Sequence, residues 1–249
     1  MKKPRLYGLI GKKLGHSFSE KYFKEKFHKE GLTECDYRLF ELEEPEQITS
    51  LVKSHPNLQG LNVTVPYKEQ LFPYLDELAP TAQKVGAVNV LKLSPKRWVG
   101  HNSDYYGFQR SLLNWLPTIS NLKALVLGTG GASKAVQAVL RDLGIPFLLI
   151  SRNQAADVLT YKQLSESSQT VADNQLIVNT TPLGMSPEIR TFPEIPYEQI
   201  GAGHFVYDLV YNPEVTKLMQ LTSTRGAQVK NGLEMLHLQA ERSWEIWNS

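Results

Sequence analysis

Hydrophobic residues between Lys123 and Leu143 follow two different spacings on the two sides of a glycine cluster. The run from Ala124 to Leu127 is short and continuously apolar, which predicts a buried strand. After the glycines, the apolar residues fall at the spacing of an amphipathic helix. They are Ala132, Val136, Val139, Leu140 and Leu143. Because Gly144 follows where a helix C-terminal glycine is common, the pattern predicts a strand, a glycine loop and a helix.

The glycine loop, Gly128-Thr129-Gly130-Gly131, joins this predicted strand directly to the helix. Glycines let a backbone approach a pyrophosphate closely, and the N–H groups and dipole of a helix start hold its negative charge. The order therefore favours a dinucleotide-binding site, with an ordinary tight turn as the alternative. The third glycine of the common G-x-G-x-x-G pattern would fall at Ser133, which is small enough to preserve close packing of the helix on the strand.

The end of the next predicted strand, Pro146 to Ile150, bears on which dinucleotide is bound. An acidic residue at this place hydrogen-bonds the ribose of NAD, but here the chain continues with Ser151, Arg152 and Asn153. An arginine offers a planar fork of donors to a 2'-phosphate, which an acid would repel. The sequence thus favours NADP over NAD, and the alternative is a solvated loop arginine.

Strands and helices also alternate in the first part of the chain, which predicts a parallel sheet. The predicted strands are Arg5 to Ile10, Asp36 to Glu41 and Gly60 to Val65, followed by a strand pair over Gly86 to Leu91 and Trp98 to His101. Ser17 and Ser19 lie at the mouth of the first strand, where either hydroxyl is placed to cap the next helix. Pro66 is placed to start the helix after the third strand.

Two charged residues lie at predicted helix starts, Lys68 after the third strand and Asp104 after the strand pair. The helix dipole disfavours a cation at a helix N-terminus by up to about 1 kcal/mol, so local stability does not explain Lys68. A solvated surface lysine is the alternative. A carboxylate at a helix N-terminus is favoured, so plain N-capping is the alternative for Asp104.

Further apolar runs in the second half predict buried strands over Leu176 to Val178, Phe205 to Val210 and Ala227 to Val229. In open α/β sheets, ligands bind at the carboxyl ends of the strands. The polar segments after the first two of these strands should therefore face a ligand. Leu233 to Trp247 has the periodicity of an amphipathic helix that packs on a core.

Composition excludes several classes of protein. The 249 residues carry 27 lysines and arginines against 25 aspartates and glutamates, so the near-neutral chain argues against a nucleic-acid partner. No segment approaches the roughly 20 apolar residues of a membrane span. The single cysteine, Cys35, fits a reducing compartment, and the six histidines lack metal-ligand spacing. We expect a cytoplasmic protein without a membrane partner and without a metal.

The motifs together have the order found in one enzyme family. They are HSFS (His16 to Ser19), NVTVPYK (Asn62 to Lys68), GAVN (Gly86 to Asn89), NSD (Asn102 to Asp104), GTGGAS, NTTPLGM, DLVYNP (Asp208 to Pro213) and NGLEML with Gln239. Over nearly its whole length the chain resembles the shikimate dehydrogenases, NADP-dependent enzymes that reduce 3-dehydroshikimate in aromatic amino-acid biosynthesis. The resemblance implies NADP as cofactor and shikimate as the small-molecule substrate.

The resemblance also implies roles for single residues. Lys68 and Asp104 would form the catalytic pair. The substrate ligands would be Ser17, Ser19, Thr64, Asn89, Asn102, Tyr211 and Gln239. The cofactor residues would be Gly128, Thr129, Gly130, Gly131, Ala132, Ser151, Arg152, Asn153, Leu209 and Gly232. These residue types suit the chemistry, because hydroxyls and amides match a polyhydroxy ring and an ammonium can protonate a developing alkoxide.

Four residues depart from the family pattern. Glu20 replaces a proline, Ser103 and Val90 replace threonines, and Ala156 stands where the 2'-phosphate loop often has a second arginine. NADP preference therefore rests on Arg152.

We predict two open α/β domains, the second a Rossmann-type dinucleotide-binding domain. The substrate-binding domain comprises residues 1–102 plus 232–249 and the NADP-binding domain residues 103–231, in a monomer or homodimer. A broader quinate/shikimate dehydrogenase and a non-catalytic nucleotide-binding sensor are the alternatives.

Overall fold

A computed structural model describes residues 4–15, 17–167 and 169–249. His16 of the HSFS motif and the basic residues Lys2 and Lys3 lie outside the described residues. The chain divides into a first unit, residues 1–103 and 239–249, and a second unit, residues 104–238. Within the described residues, no helix combines the length and the apolar character needed to cross a membrane.

The first unit contains a mixed six-stranded sheet and its helices. The strands are β1 (Arg5–Gly11), β2 (Cys35–Glu41), β3 (Leu58–Val63), β4 (Glu77–Leu78), β5 (Val90–Ser94) and β6 (Arg97–His101). The helices are α1 (Phe18–Lys29), α2 (Ile48–Ser54), α3 (Tyr67–Gln70) and α4 (Pro80–Val85), with 3₁₀ turns at Pro45–Gln47 and Phe72–Tyr74. The strand order is β2-β1-β3-β5-β6-β4.

The parallel sheet predicted for the first three strands is confirmed for β1, β2 and β3, and the strand pair predicted after them corresponds to β5 and β6. Strand β5 pairs antiparallel with both β3 and β6. The short turn between Ser94 and Arg97 explains the pairing of β5 with β6, because a connection of this length can join only antiparallel neighbours.

Four local predictions in the first unit also need correction. Strand β3 ends at Val63, because the Tyr67 N–H donates to the Thr64 carbonyl in a turn before α3. Pro66 precedes α3 as its N-cap residue and does not lie inside the helix. Residues 86–89 are not a strand: Gly86 ends α4 in the left-handed conformation, at φ 70°. Ser17 occupies the N-cap position of α1, but its side chain makes no capping hydrogen bond.

Aromatic side chains fill one face of this sheet. Tyr7 stacks on Trp247 with ring centroids 4.9 Å apart, and Phe23 stacks on Tyr37 at 4.8 Å. The Trp247 indole N–H donates to the Leu91 carbonyl at 3.0 Å, and the ring lies where a side chain on Gly60 would stand. The C-terminal segment therefore completes the core of the first unit.

The second unit contains a parallel sheet and its helices. The strands are β7 (Ala124–Leu127), β8 (Phe147–Ser151), β9 (Val158–Thr160), β10 (Leu176–Asn179), β11 (Phe205–Asp208) and β12 (Gln228–Lys230). The helices are α5 (Asp104–Trp115), α6 (Gly131–Asp142), α7 (Tyr161–Glu166) and α8 (Lys217–Ser223), with a 3₁₀ turn at Tyr197–Gln199; α9 (Leu233–Asn248) begins in this unit.

The strand order of the second unit is β12-β11-β10-β7-β8-β9, with every neighbouring pair parallel. This is the doubly wound order of Rossmann-type domains. Successive strands are added first on one side of the first strand, β7, and then on its other side. Strand β7 has the predicted bounds, and it leads through the glycine loop into α6. The predicted fold class, two α/β domains with the second of Rossmann type, is confirmed.

The division between the units falls inside α9, not at Gly232 where the sequence suggested. Met235 belongs to the hydrophobic core of the second unit. Glu234 accepts hydrogen bonds from Ser111 at 3.0 Å and from Asn114 at 2.7 Å. The first turns of α9 are therefore held by the second unit, and the rest of the helix from Gln239 belongs to the first.

Candidate functional site

The glycine loop at the end of β7 has the geometry that a bound pyrophosphate requires. Gly128 has a φ of 104°, and a Cβ there would lie 2.7 Å from the Thr180 hydroxyl oxygen. Gly130 is the N-cap of α6, and a Cβ on Gly130 would meet open space. Gly128 is thus needed for the turn, whereas Gly130 keeps the approach to the helix start clear. Ser133 is fully buried, as expected for a residue at the helix–strand contact.

A pocket of about 290 Å³ lies at this loop and brings together half of the predicted cofactor residues. Its lining includes Gly128, Thr129, Gly130, Ser151 and Arg152, together with the segment from Thr180 to Leu183 after β10. A second pocket of about 510 Å³ shares Arg152, Tyr161 and Leu183 with the first. Gly131, Ala132 and Asn153 do not line either pocket, although the Asn153 N–H donates to the Ser151 hydroxyl at 3.4 Å.

Arg152 is exposed and forms no ion pair among the described residues. Its charge lowers the pKa of the neighbouring Tyr161, whereas burial, the larger effect, raises it to about 12. An exposed guanidinium beside a glycine loop and a helix N-terminus suits a dinucleotide with an extra phosphate. The residues present therefore fit NADP.

Leu209 and Gly232, the last two predicted cofactor residues, lie against each other. A Cβ on Gly232 would come within 2.0 Å of the Leu209 carbonyl oxygen. The Gly232 N–H also donates to the Val210 carbonyl at 3.1 Å. Glycine at this position is thus explained by the contact of two backbone segments, independently of any ligand.

In the first unit, the predicted substrate residues gather at the carboxyl ends of β1 and β3. The Thr64 N–H donates to the Ile10 carbonyl at 2.9 Å, which ties the two strand ends together. Ser17 and Ser19 lie at the start of α1, after β1. The backbone of Lys68 is fixed to the next segment, because its carbonyl accepts from the Val88 N–H at 2.7 Å.

The buried amides of the first unit complete this group. Asn89 and Asn102 are 3% and 2% exposed, so water does not compete for their hydrogen bonds. Asn89 is held at both ends of its amide by Ser103, through the Ser103 N–H at 2.7 Å and the Ser103 hydroxyl at 3.0 Å. Asn102 donates to the Ala87 carbonyl at 2.9 Å, and Gln239 lies within 3.3 Å of the Ser103 hydroxyl.

Two predicted residues, Asp104 and Tyr211, belong to the second unit. Asp104 is the first residue of α5 and is 8% exposed. Burial raises the pKa of Tyr211, which therefore stays a neutral hydroxyl. The turn that carries Tyr211 is fixed by the buried Asp208, which accepts hydrogen bonds from Asn179 at 2.9 Å, Thr216 at 2.6 Å and the Val210 N–H at 3.1 Å. Burial raises the pKa of Asp208, and these three donors oppose the rise.

Sequence reasoning missed two side chains that support these groups. Tyr37 and Ser243 are fully buried and join the amides of the first unit. Ser243 follows Gln239 by one helical turn, so the same face of α9 carries both. That spacing was the available signal for Ser243.

Comparisons with known proteins agree with this arrangement. The family model of the shikimate dehydrogenase substrate binding domain matches residues 9–91. A shikimate dehydrogenase (NADP(+)) from Clostridium beijerinckii is 38% identical over 253 residues, covering 97% of this chain and 91% of that protein.

Solved structures show the same similarity. A chorismate mutase/shikimate 5-dehydrogenase fusion protein from Clostridium acetobutylicum has a TM-score of 0.87 and 36% identity, with 98% of this chain and 91% of that chain covered. The shikimate 5-dehydrogenase of Thermus thermophilus, solved with NADP(H) and shikimate, has a TM-score of 0.81 and 28% identity, with 97% and 92% covered. The chain belongs to the shikimate dehydrogenase family.

Proposed function

We propose that this protein catalyses the reversible, NADP-dependent reduction of 3-dehydroshikimate to shikimate in aromatic amino-acid biosynthesis. The observation that carries the proposal is the pocket in which the glycine loop Gly128–Gly130 and the exposed Arg152 meet. Family membership and the grouping of hydroxyl and amide side chains in the first unit support the same activity. These side chains suit a polyhydroxy carboxylate, which needs many neutral hydrogen-bonding partners.

The second unit holds the cofactor in this proposal. The N–H groups at the start of α6 bind the pyrophosphate, and Arg152 with Ser151 and Asn153 binds the 2'-phosphate. Leu209 and Gly232 contribute backbone contacts. When bound, NADPH supplies the hydride that reduces the ring carbonyl.

The first unit supplies most of the substrate contacts. The hydroxyls of Ser17 and Ser19 donate to the carboxylate without placing a fixed charge there. Thr64, Asn89, Asn102 and Gln239 bind the ring hydroxyls, and Tyr211 of the second unit adds one further hydroxyl. This set selects the substrate by the number and position of its hydroxyl groups.

Lys68 and Asp104 form the catalytic pair. The ammonium of Lys68 stabilises negative charge on the ring oxygen and donates a proton to it, and in the oxidation direction the amine takes that proton back. The carboxylate of Asp104 orients the ammonium. We further propose that the enzyme works in the cytoplasm as a monomer or homodimer, without a metal.

Appearance of NADPH absorbance when the purified protein is mixed with shikimate and NADP tests the proposal. We expect turnover with shikimate, and turnover with quinate measured beside it defines the substrate range. Comparable rates on both substrates would make the protein a broader quinate/shikimate dehydrogenase. NADP binding without turnover on either substrate would refute the enzymatic proposal and favour a nucleotide-binding sensor.

A further inference from the structure

A continuous chain of buried polar side chains runs beneath the predicted substrate residues of the first unit. On one side, the Tyr37 hydroxyl donates to Asn62 Oδ1 at 2.8 Å, and Asn62 Nδ2 donates to Ser243 Oγ at 2.9 Å. Burial raises the pKa of Tyr37 well above its ordinary value, so the side chain remains a neutral donor. The nearby Ser19 side chain opposes this rise in the pKa of Tyr37.

On the other side, Ser243 Oγ lies 3.2 Å from Ser103 Oγ. Ser103 holds the Asn89 amide, and Ser243 itself donates to the backbone carbonyl of Gln239 at 2.8 Å, so this arm reaches two predicted substrate ligands. Ser103 and Ser243 are both fully buried. A chain of this kind restricts its members to one arrangement, because each broken link leaves a buried polar group unpaired.

Because the Ser243 hydroxyl carries a single proton, the donor and acceptor of each of its hydrogen bonds can be identified. The Ser243 hydroxyl donates its one proton to the Gln239 carbonyl at 2.8 Å. Ser243 Oγ therefore acts as an acceptor toward both Asn62 and Ser103. The other contact between the two arms is longer, since Asn62 Nδ2 lies 3.5 Å from the Asn89 carbonyl oxygen. Ser243 is thus the closer link between them.

We propose that Ser243 is a positioning residue of the substrate site, which fixes Asn89 and Gln239 in one geometry without touching the substrate. The inference rests on the proposed function, since it takes these two residues as substrate ligands. It goes beyond that function in naming Tyr37, Asn62, Ser103 and Ser243 as the layer that sets substrate affinity.

The test compares Ser243→Ala with Ser111→Ala. Ser111 is an equally buried serine of the second unit, where its hydroxyl accepts from Tyr207 at 2.8 Å and donates to Glu234 at 3.0 Å. Ser243→Ala leaves Asn62 Nδ2 without its near acceptor, so we expect the KM for shikimate to rise about tenfold. The KM for NADP should change less than about twofold, and kcat should fall less than the KM for shikimate rises. Ser111→Ala should leave the KM for shikimate unchanged.

A second pair of variants separates positioning from general loss of stability. Ser103→Thr keeps the hydroxyl and should preserve the KM for shikimate, whereas Ser103→Ala should raise it as Ser243→Ala does. Tyr37→Phe keeps the ring contact with Phe23 and should also raise the KM for shikimate. A shikimate KM in Ser243→Ala no higher than in Ser111→Ala would overturn the inference. If the wild-type enzyme itself did not turn over shikimate, the proposed function would fail instead.

Discussion

At the scale of single residues, the cofactor preference depends on one cation. Arg152 lines two pockets of the second unit and makes no ion pair with the described residues. Ala156 occupies the place of the second arginine that the family often has. The charge that selects a phosphorylated ribose is therefore carried by one guanidinium group, that of Arg152. The preference for NADP over NAD is for this reason sensitive to one substitution.

We predict that Arg152→Ala raises the KM for NADP by about 10- to 100-fold, because charge-assisted hydrogen bonds to the 2'-phosphate are lost. The KM for NAD should change by less than about threefold. Since the contact is the same in the ground and transition states, kcat should change little. Steady-state kinetics with both cofactors measure these values. Equal weakening of NADP and NAD would show that Arg152 does not contact the phosphate.

The two members of the proposed catalytic pair should act together. Lys68→Met keeps an apolar stem of similar length but removes the proton donor, so kcat should fall by about 10²- to 10⁴-fold. Asp104→Asn should lower kcat and shift the pH–rate profile, because the charge that orients the ammonium is lost. The double variant should be far less impaired than the product of the single losses. Multiplicative losses in single-turnover measurements would contradict the paired role.

His101 should make the folded state sensitive to acid. Burial, with the nearby charges of Lys92 and Arg242, lowers its pKa to about 4 from an ordinary value of 6.5. The unfolded chain therefore binds this proton first, so stability present above about pH 6.5 is lost as the pH falls toward 4. The loss is at most about 2 kcal/mol at a half-buried ring. Urea unfolding at several pH values in this range measures the free energy of unfolding at each pH. This free energy should fall less steeply with decreasing pH for His101→Gln than for wild type.

At the scale of secondary-structure elements, the glycine positions differ in what they do. Gly232 lets the segment before α9 lie on the backbone of Leu209, and a side chain at Gly232 would overlap the Leu209 carbonyl at 2.0 Å. Both partners are backbone, so neither can rotate away. Gly203, in contrast, has nothing near the position of an added Cβ.

We predict that Gly232→Ala lowers the free energy of unfolding by about 2 to 4 kcal/mol, because the α9 start must move away from β11. Gly203→Ala is the matched control and should change it by less than about 0.5 kcal/mol. Chemical denaturation followed by circular dichroism gives both values. A Gly232→Ala protein as stable as its control would show that the close approach relaxes without cost.

Elements with strong periodicity or glycine punctuation were predictable, and those set by long-range pairing were not. Strand β7 and helix α6 follow directly from the apolar run, the glycines and Gly144. Strand β9, α7 and α8 are short, with 3, 6 and 7 residues, so their sequences carry little periodic signal. The antiparallel pairing of β5 with β3 and the contacts of Ser243 with Asn62 and Ser103 join positions far apart in the chain, which local spacing does not encode.

At the scale of the whole molecule, each unit has its own hydrophobic core, and α9 contributes to both. Trp247 belongs to the first unit, where it contacts Tyr7, Phe23 and the backbone of Leu91. The glycine loop and Arg152 belong to the second. Damage to one core should therefore separate the two binding functions.

We predict that Trp247→Ala destabilises the first unit by about 3 to 5 kcal/mol, because a large buried ring and its hydrogen bond are lost. Turnover of shikimate should be lost at temperatures where NADP still binds, as the second unit retains its core. Calorimetric titration with NADP, set beside an activity assay over the same temperatures, measures the difference. Simultaneous loss of both functions would indicate that the units unfold as one.

The discontinuous first unit has a consequence for synthesis on the ribosome. Residues 104–238 form a contiguous unit, which can fold as soon as it leaves the exit tunnel. Residues 1–103 emerge earlier, but their aromatic core is incomplete until Trp244 and Trp247, which follow the second unit in the sequence, have been synthesised. The segment translated first is thus completed last, and its apolar sheet face stays open to chaperones until residues 239–249 arrive.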